Sequence, residues 1–341
     1  MDKLVTVLLS DGLPGHYRLS EGICAAIARK RPLDIIRINI KRPRWMPGRV
    51  LSALTNAGGT LAEQVPKVFG QPIQAIQDCD LVVSAGGDTL AANIAVARRH
   101  GCPNIFYGSM RRFRPEDFAL VLTSYAANAG RPNHAMTLKP SAFDPDGLGV
   151  RALGEGVDAT LGLLIGGDSG TVRFSAANWE KLLALLAGGT GGPRWIISNS
   201  RRTPAMVSDR IALQAARDPT RLSFIDARKP DAPPLATLFV GSDAVAVTVD
   251  SSSMVSEAVW ARRPVVALVP ERGGLPALEQ DYRKYLQAQG WAGQIGLNGA
   301  TPEVVLAAAR TLRPLNANPL DELAGLISER LPELMTSRDG H

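Results

Sequence analysis

The stretch LVVSAGGDTLAANIAVARRHGCPNIFY (Leu81–Tyr107) decides the fold. It opens on an apolar run of strand length, turns through Ala85-Gly86-Gly87-Asp88, continues as a helix over Leu90–Arg99 and closes on a second strand at Asn104–Tyr107. A strand, a crossover helix and a further strand form the repeating unit of a parallel sheet covered on both faces. The same grammar stands upstream. Val5–Leu9 is a short apolar run ended by Ser10-Asp11-Gly12-Leu13-Pro14-Gly15, after which Leu19, Ile23, Ala26 and Ile27 recur at helical spacing.

Downstream, periodicity is lost from Tyr125 to about Val157. Asn, Gly, Pro and Asp accumulate there, including Asp144-Pro145-Asp146-Gly147-Leu148-Gly149. This predicts a boundary near residue 150, with an N-terminal α/β domain over 1–150 and a C-terminal one over 151–341. The second series runs through a strand at Leu161–Ile165, the loop Gly166-Gly167-Asp168-Ser169-Gly170 and a helix near 175–187. Strands follow at Trp195–Ser198, Leu222–Asp226, Ala244–Val249 and Val265–Val269. The last segment reads as helices near 302–312 and 317–334 without a strand, and these final helices are the ones expected to pack back on the N-terminal domain. Ala97-Arg98-Arg99 and Ala261-Arg262-Arg263 each close a helix after a strand and a small-residue loop, so the halves resemble one another. The expected architecture is α/β, two Rossmann-like doubly wound parallel-sheet domains facing a cleft.

Composition excludes several classes. With 45% hydrophobic and 21% charged residues the chain is a packed protein rather than a disordered one. No apolar run reaches the roughly 20 residues of a membrane span, and Met1-Asp2-Lys3-Leu4 leads into a strand rather than a signal region, so a cytoplasmic protein is expected. Cys24, Cys79 and Cys102 have no C-x-x-C spacing and read as buried thiols. His16, His100, His134 and His341 are scattered, and no metal site is expected. Lys plus Arg number 18 against 12 Asp plus Glu in residues 1–150, and 20 against 20 in the remainder. The positive excess of the first half suits an anionic surface or substrate.

Ligands of open parallel sheets sit beyond the carboxyl ends of the strands, where helix N-termini expose N–H groups. In the second half, Gly166 and Gly167 with Asp168 let backbone approach a ligand. Ser198-Asn199-Ser200-Arg201-Arg202-Thr203-Pro204 is read with Thr203 as a cap and Pro204 at the first helical position. Arg201 and Arg202 then stand where guanidinium forks can pair with a pyrophosphate. Asp250-Ser251-Ser252-Ser253-Met254-Val255-Ser256-Glu257 opens a helix whose hydroxyls and N–H groups can grip phosphate, with Ser253 as an alternative structural N-cap and Glu257 placed to accept from ribose hydroxyls. In the first half, Asp11-Gly12-Leu13-Pro14-Gly15-His16 places Asp11 or His16 to take a proton from a hydroxyl. Gly86, Gly87 and Asp88, with Asn93 on the following helix, are expected on the acceptor side of the cleft.

Neither G-x-x-x-x-G-K-[ST] nor G-x-G-x-x-G is present, which weakens NTPase and dehydrogenase readings. Asp144-x-Asp146 reads as a turn rather than a metal-binding pair. Lys41, Arg42, Arg44, Trp45 and Arg49 mix cations with an aromatic and fit an anionic membrane surface better than nucleic acid.

D-G-x-P-G-H at 11–16, L-I-G-G-D-S at 164–169, S-x-S-R-R-T-P at 198–204 and D-S-S-S-M-V-S-E-A at 250–258 resemble the mitochondrial-fission ELM-type family, which includes a plant mitochondrial-division factor. More distantly, the second half is similar to glycosyltransferases of GT-B architecture. That resemblance implies a nucleotide-diphosphate sugar as donor substrate and no cofactor or metal. It implies donor-diphosphate binding by Gly166, Gly167 and Ser251–Ser253, ribose binding by Glu257, and a glycolipid or saccharide acceptor taken by the N-terminal domain, often at a membrane. A non-catalytic peripheral adaptor and a sugar-nucleotide epimerase are the alternatives.

Overall fold

In the computed structural model, residues 3–149, 153, 159–187 and 192–336 are described. Val150, where the boundary was expected, and His341 lie outside them. The chain divides into two compact units. The first ends at Ala142 and resumes at Pro319, and the second spans Phe143–Asn318.

The first unit contains β1 (Leu4–Ser10), α1 (Pro14–Ala28), β2 (Leu33–Asn39), α2 (Gly48–Ala57) and the short helices α3 (Gly59–Ala62), α4 (Val65–Phe69) and α5 (Gln71–Gln74). It continues with β3 (Leu81–Ala85), α6 (Leu90–His100), β4 (Asn104–Tyr107), β5 (Leu120–Thr123) and β6 (His134–Met136). All pairings are parallel, in the order β2-β1-β3-β4-β5-β6. β3 is buried at every position, the pattern of a strand covered on both faces. α6 begins where the small-residue loop ends and stops at Gly101, whose φ of 61° supplies the left-handed cap. The topological switch falls between β1 and β3, since β1 is followed by its neighbour on one side and β3 lies on the other.

The second unit holds β7 (Thr160–Leu164), α7 (Ala176–Leu186), β8 (Arg194–Ser198), α8 (Ala205–Arg217), β9 (Leu222–Ile225) and α9 (Ala236–Gly241). Then come β10 (Ala244–Thr248), α10 (Ser252–Trp260), β11 (Val265–Val269), α11 (Ala277–Ala288), β12 (Ala292–Gly296) and α12 (Pro302–Arg310). The parallel order β12-β11-β10-β7-β8-β9 is the doubly wound arrangement, with its switch between β7 and β10. α7 starts on a reciprocal capping box between Ser175 and Asn178. The core is built from inward faces of both layers, including Leu161, Leu163, Leu182, Leu186, Trp195, Ala246 and Val266.

The last helix, α13 (Pro319–Arg330), belongs to the first unit. Arg29, at the C-cap of α1, grips Asp321 with two hydrogen bonds of 2.8 and 3.1 Å, and Arg31 donates to Leu334 O at 2.9 Å. α12 stays in the second unit, so of the two final helices only α13 joins the first.

Three expectations are corrected. The first unit ends at Ala142, short of residue 150, because Asp144–Gly149 forms a 3-10 turn tied into the second unit by Asn318 to Asp144 (2.9 Å) and by Arg263 to Gly149 O (2.9 Å). The stretch read as structureless contains β6, and the last segment contains β12. Both are short edge strands with too few residues for an alternation to register, and β12 carries two glycines.

Candidate functional site

At the switch of the second unit, the loops after β7, β8 and β10 converge. The carboxyl end of β7 leads into Gly166-Gly167, and that of β10 into Asp250. Gly166 N–H donates to Thr248 Oγ1 (2.7 Å) and Gly167 N–H to Asp250 Oδ2 (3.1 Å). A Cβ on Gly166 would stand 2.6 Å from Asp250 Cγ, and one on Gly167 would overlap the backbone carbonyl of Arg202. Only glycine permits this approach at either position. From the third loop, Thr203 Oγ1 donates to Ile165 O (3.0 Å) and Gly166 O (2.7 Å), while Ser200 N–H donates to Thr203 Oγ1 (2.9 Å).

The two arginines have different situations. Arg202 lies 2.7 Å from Asp250 Oδ2 and donates to Gly167 O at 3.0 Å, so its charge neutralises a buried carboxylate. Arg201 is exposed and makes no hydrogen bond or ion pair with any described residue. Asn199, buried behind them, donates to Ser208 Oγ and Asp226 Oδ1 and fixes the start of the loop. Ser198 is buried, and its hydroxyl bonds to Asn199 O. Asp168 closes its own loop by accepting from Phe174 N–H at 2.9 Å.

Helix boundaries shift two of the expected roles. α10 is capped by Ser251, whose Oγ accepts from Met254 N–H at 3.3 Å; Ser253 sits in the first turn, exposed, with Ser252 and Met254 beside it. Thr203 is not the cap of α8. Pro204 holds that position without a side-chain bond, because Thr203 is already engaged by the β7 loop. Ser256 is 1% exposed and its hydroxyl meets Tyr282 OH at 2.9 Å, which turns it into the core. Glu257 stands half-buried on the next position of the same helix.

Sequence reasoning missed a neighbouring feature. A cavity of about 340 Å³ opens beside the ends of β10 and β11, lined by Val249, Gly273, Gly274, Gln280, Arg283 and Lys284. Arg283 is buried, with Nε on Glu279 Oε1 at 2.8 Å and Nη2 on Val249 O, and its Nη1 has no hydrogen-bond partner. Gly273 has a φ of 98° and no room for a Cβ against Thr171 O. The signal was present as a Gly-Gly pair after the strand at 265–269, followed by Glu and Arg four residues apart on a helix.

In the first unit the switch also gathers its loops. Pro14 begins α1, which puts Gly15 and His16 in its first turn, and Gly12 has a φ of 80°. Asp11 Oδ1 accepts from Leu13 N–H (3.1 Å), and its Oδ2 faces His16 Nδ1 at 2.8 Å. The Asp11 side chain is 7% exposed and that of His16 38%, so a buried carboxylate orients a ring whose other edge is open. A carboxylate on Nδ1 selects the tautomer that carries its proton there and leaves the Nε2 lone pair free. Gly86, φ 93°, is the floor of this pair: a Cβ there would overlap His16 Nδ1 and lie 2.6 Å from Asp11 Oδ2. Gly87 lies under the Arg111 guanidinium, and Asp88 pairs with Arg42 at 3.3 Å. Asn93 is corrected. It is fully buried and bridges Ser84, Asn104 and Ile105 O, so it faces no ligand.

All three cysteines are buried, and burial pushes the Cys24 thiol up to about 12. Among the described residues there is no group of three or more His, Cys, Asp or Glu able to hold a metal, and no helix long and apolar enough to cross a membrane.

The fold is one shared with glycosyltransferases of GT-B architecture. The glycosyltransferase of kitacinnamycin superposes with a TM-score of 0.53 at 10% identity, covering 98% of this chain and 96% of that one. Acinetobacter baumannii MurG gives 0.51 at 15% identity, over 96% and 99% of the two chains. A Listeria monocytogenes protein proposed as a UDP-N-acetylglucosamine 2-epimerase gives 0.53 at 13% identity, over the full length of both. No curated protein matches the sequence. The chain belongs to the mitochondrial fission ELM1 family, whose model matches residues 14–331.

Proposed function

We propose that the protein transfers a sugar from a nucleotide-diphosphate donor to a cell-envelope glycolipid or saccharide acceptor, without a metal. The observation that carries this reading is the convergence of Gly166-Gly167, Arg201 and the N-terminus of α10 at the switch between β7 and β10. The positive end of a helix and an unengaged guanidinium, with backbone that glycine lets a ligand approach, form a site for a diphosphate. Ser251–Ser253 and Arg201 hold the phosphates, Glu257 accepts from the ribose hydroxyls, and the Arg283-lined cavity takes the remainder of the donor. Arg202 acts through Asp250, cancelling a charge that would repel the ligand.

In the first unit, His16 Nε2 removes the proton of the attacking hydroxyl and Asp11 holds the ring and stabilises the imidazolium. The departing diphosphate is stabilised by the helix N-termini and Arg201. Trp45, 71% exposed among Lys41, Arg44 and Arg49, rests at the interface of an anionic membrane and places the protein peripherally on its inner face.

Isothermal titration with UDP, GDP, CMP and their sugars tests the donor site. Binding by one of them, lost on Arg201→Ala, supports it, and absence of binding by all to folded protein overturns it. The fold shared with a proposed 2-epimerase supports a second reading, which requires conversion of the sugar nucleotide with no acceptor present.

A further inference from the structure

A second cavity, of about 290 Å³, lies within the first unit beside the loop after β3. Arg42, Arg49, Arg111 and Arg112 line it, with Asp88 as the one carboxylate. Arg42 is committed: it pairs with Asp88 at 3.3 Å and donates to Met46 O at 2.8 Å. The side chains of Arg49, Arg111 and Arg112 make no hydrogen bond or ion pair with any described residue. Three guanidinium groups without a protein partner among the described residues thus share one concavity, a concentration of positive charge that favours an anion.

Two further costs converge on Arg111. Its backbone has a φ of 53°, the left-handed region that residues with side chains rarely occupy. Its guanidinium lies over Gly87, in the space that any Cβ there would fill. The α6 N-terminus, with Thr89 at the cap and no side-chain bond satisfying it, opens at the same wall. Leu51 and Phe113 add an apolar side to the cavity.

We propose that this cavity binds the phosphate or diphosphate of a ligand whose remaining part lies on the apolar side. Calling that ligand the acceptor rests on the transfer reading; recognition of the anion does not. The fork of Arg111 supplies two parallel N–H donors, Arg49 and Arg112 supply charge, and the α6 N–H groups complete the oxygens. The phosphate comes either from a lipid headgroup or from a soluble phosphate ester.

The test titrates inorganic pyrophosphate into the full chain by calorimetry. In an Arg201→Ala background, which removes the diphosphate site of the second unit, Arg111→Ala/Arg112→Ala is expected to weaken the remaining binding by roughly tenfold or more. Gly87→Ala, which displaces the Arg111 guanidinium without altering net charge, should weaken it in the same direction. Flotation with phosphatidylcholine vesicles, with and without phosphatidic acid, then separates the sources. Recovery that depends on both phosphatidic acid and Arg111 identifies a lipid phosphate, and pyrophosphate binding without flotation identifies a soluble one. Absence of pyrophosphate binding, or a loss confined to Arg201→Ala, overturns the proposal. Arg111-dependent pyrophosphate binding without binding of any nucleotide would remove the transfer reading and leave this site standing.

Discussion

Arg202 and Asp250 are ion-paired at 2.7 Å across the switch of the second unit, the arginine 38% exposed and the aspartate side chain wholly buried. Asp250 Oδ2 also accepts from Gly167 N–H, while Oδ1 is buried with no hydrogen-bond partner. The pair closes three loops into one site. It also separates two adjacent arginines that look equivalent in the sequence.

Arg202→Ala should destabilise the second unit by about 2–3 kcal/mol, since it strands a buried carboxylate whose partner is itself partly solvated. Arg201→Ala should leave the melting temperature unchanged and weaken nucleotide-diphosphate binding roughly tenfold. Thermal melts paired with titration calorimetry distinguish the two. Equal effects of both substitutions on stability would contradict the division of roles.

Ser251→Ala removes the α10 cap and should cost about 1 kcal/mol. Ser256→Ala should cost a similar amount, by removing the buried hydrogen bond between Ser256 Oγ and Tyr282 OH, but spare nucleotide affinity. Urea titration gives both values, and reduced affinity in folded Ser256→Ala would show the hydroxyl to be more than structural.

His16→Ala should lower kcat of the transfer by about 10²- to 10⁴-fold with donor affinity intact. Gly86→Ala should do nearly as much without touching either partner, because the added Cβ occupies the position of His16 Nδ1 in a backbone conformation at φ 93°. Steady-state kinetics with donor binding measured separately will tell. A Gly86→Ala protein of full activity would remove the dyad from the mechanism.

Asp226 is held well below its ordinary value of 3.8, first by the Arg228 guanidinium and then by Asn199. A carboxyl depressed in the folded state contributes stability above that ordinary value and loses it as the pH falls from there towards the folded value. Acid should therefore loosen the 198–204 loop, through Asn199, and Asp226→Asn should flatten the acid limb of the stability curve. Melting temperature followed from neutral pH down through the carboxylate range is the measurement, with an unchanged limb as the contrary result.

Much of the fold was legible because its strands are buried on both faces. β3, β4, β10 and β11 stand in the sequence as largely apolar runs, and their bounds agree with the reading to within a residue. β6 and β12 were not legible, since an edge strand of three to five residues imposes almost no pattern. The return of α13 to the first unit depends on Arg29 and Arg31 meeting residues about 300 positions away, a separation that no local signal encodes.

The order of strands and helices and the identity of the loops at the strand ends follow from periodicity and from the residues that break it. Which hydroxyl caps α10, which arginine neutralises Asp250 and which serine turns into the core were decided only by tertiary structure. Those are choices among chemically equivalent neighbours, and only the pairing of β7 with β10, which brings Gly166 within reach of Thr248 and Gly167 within reach of Asp250, makes them inequivalent.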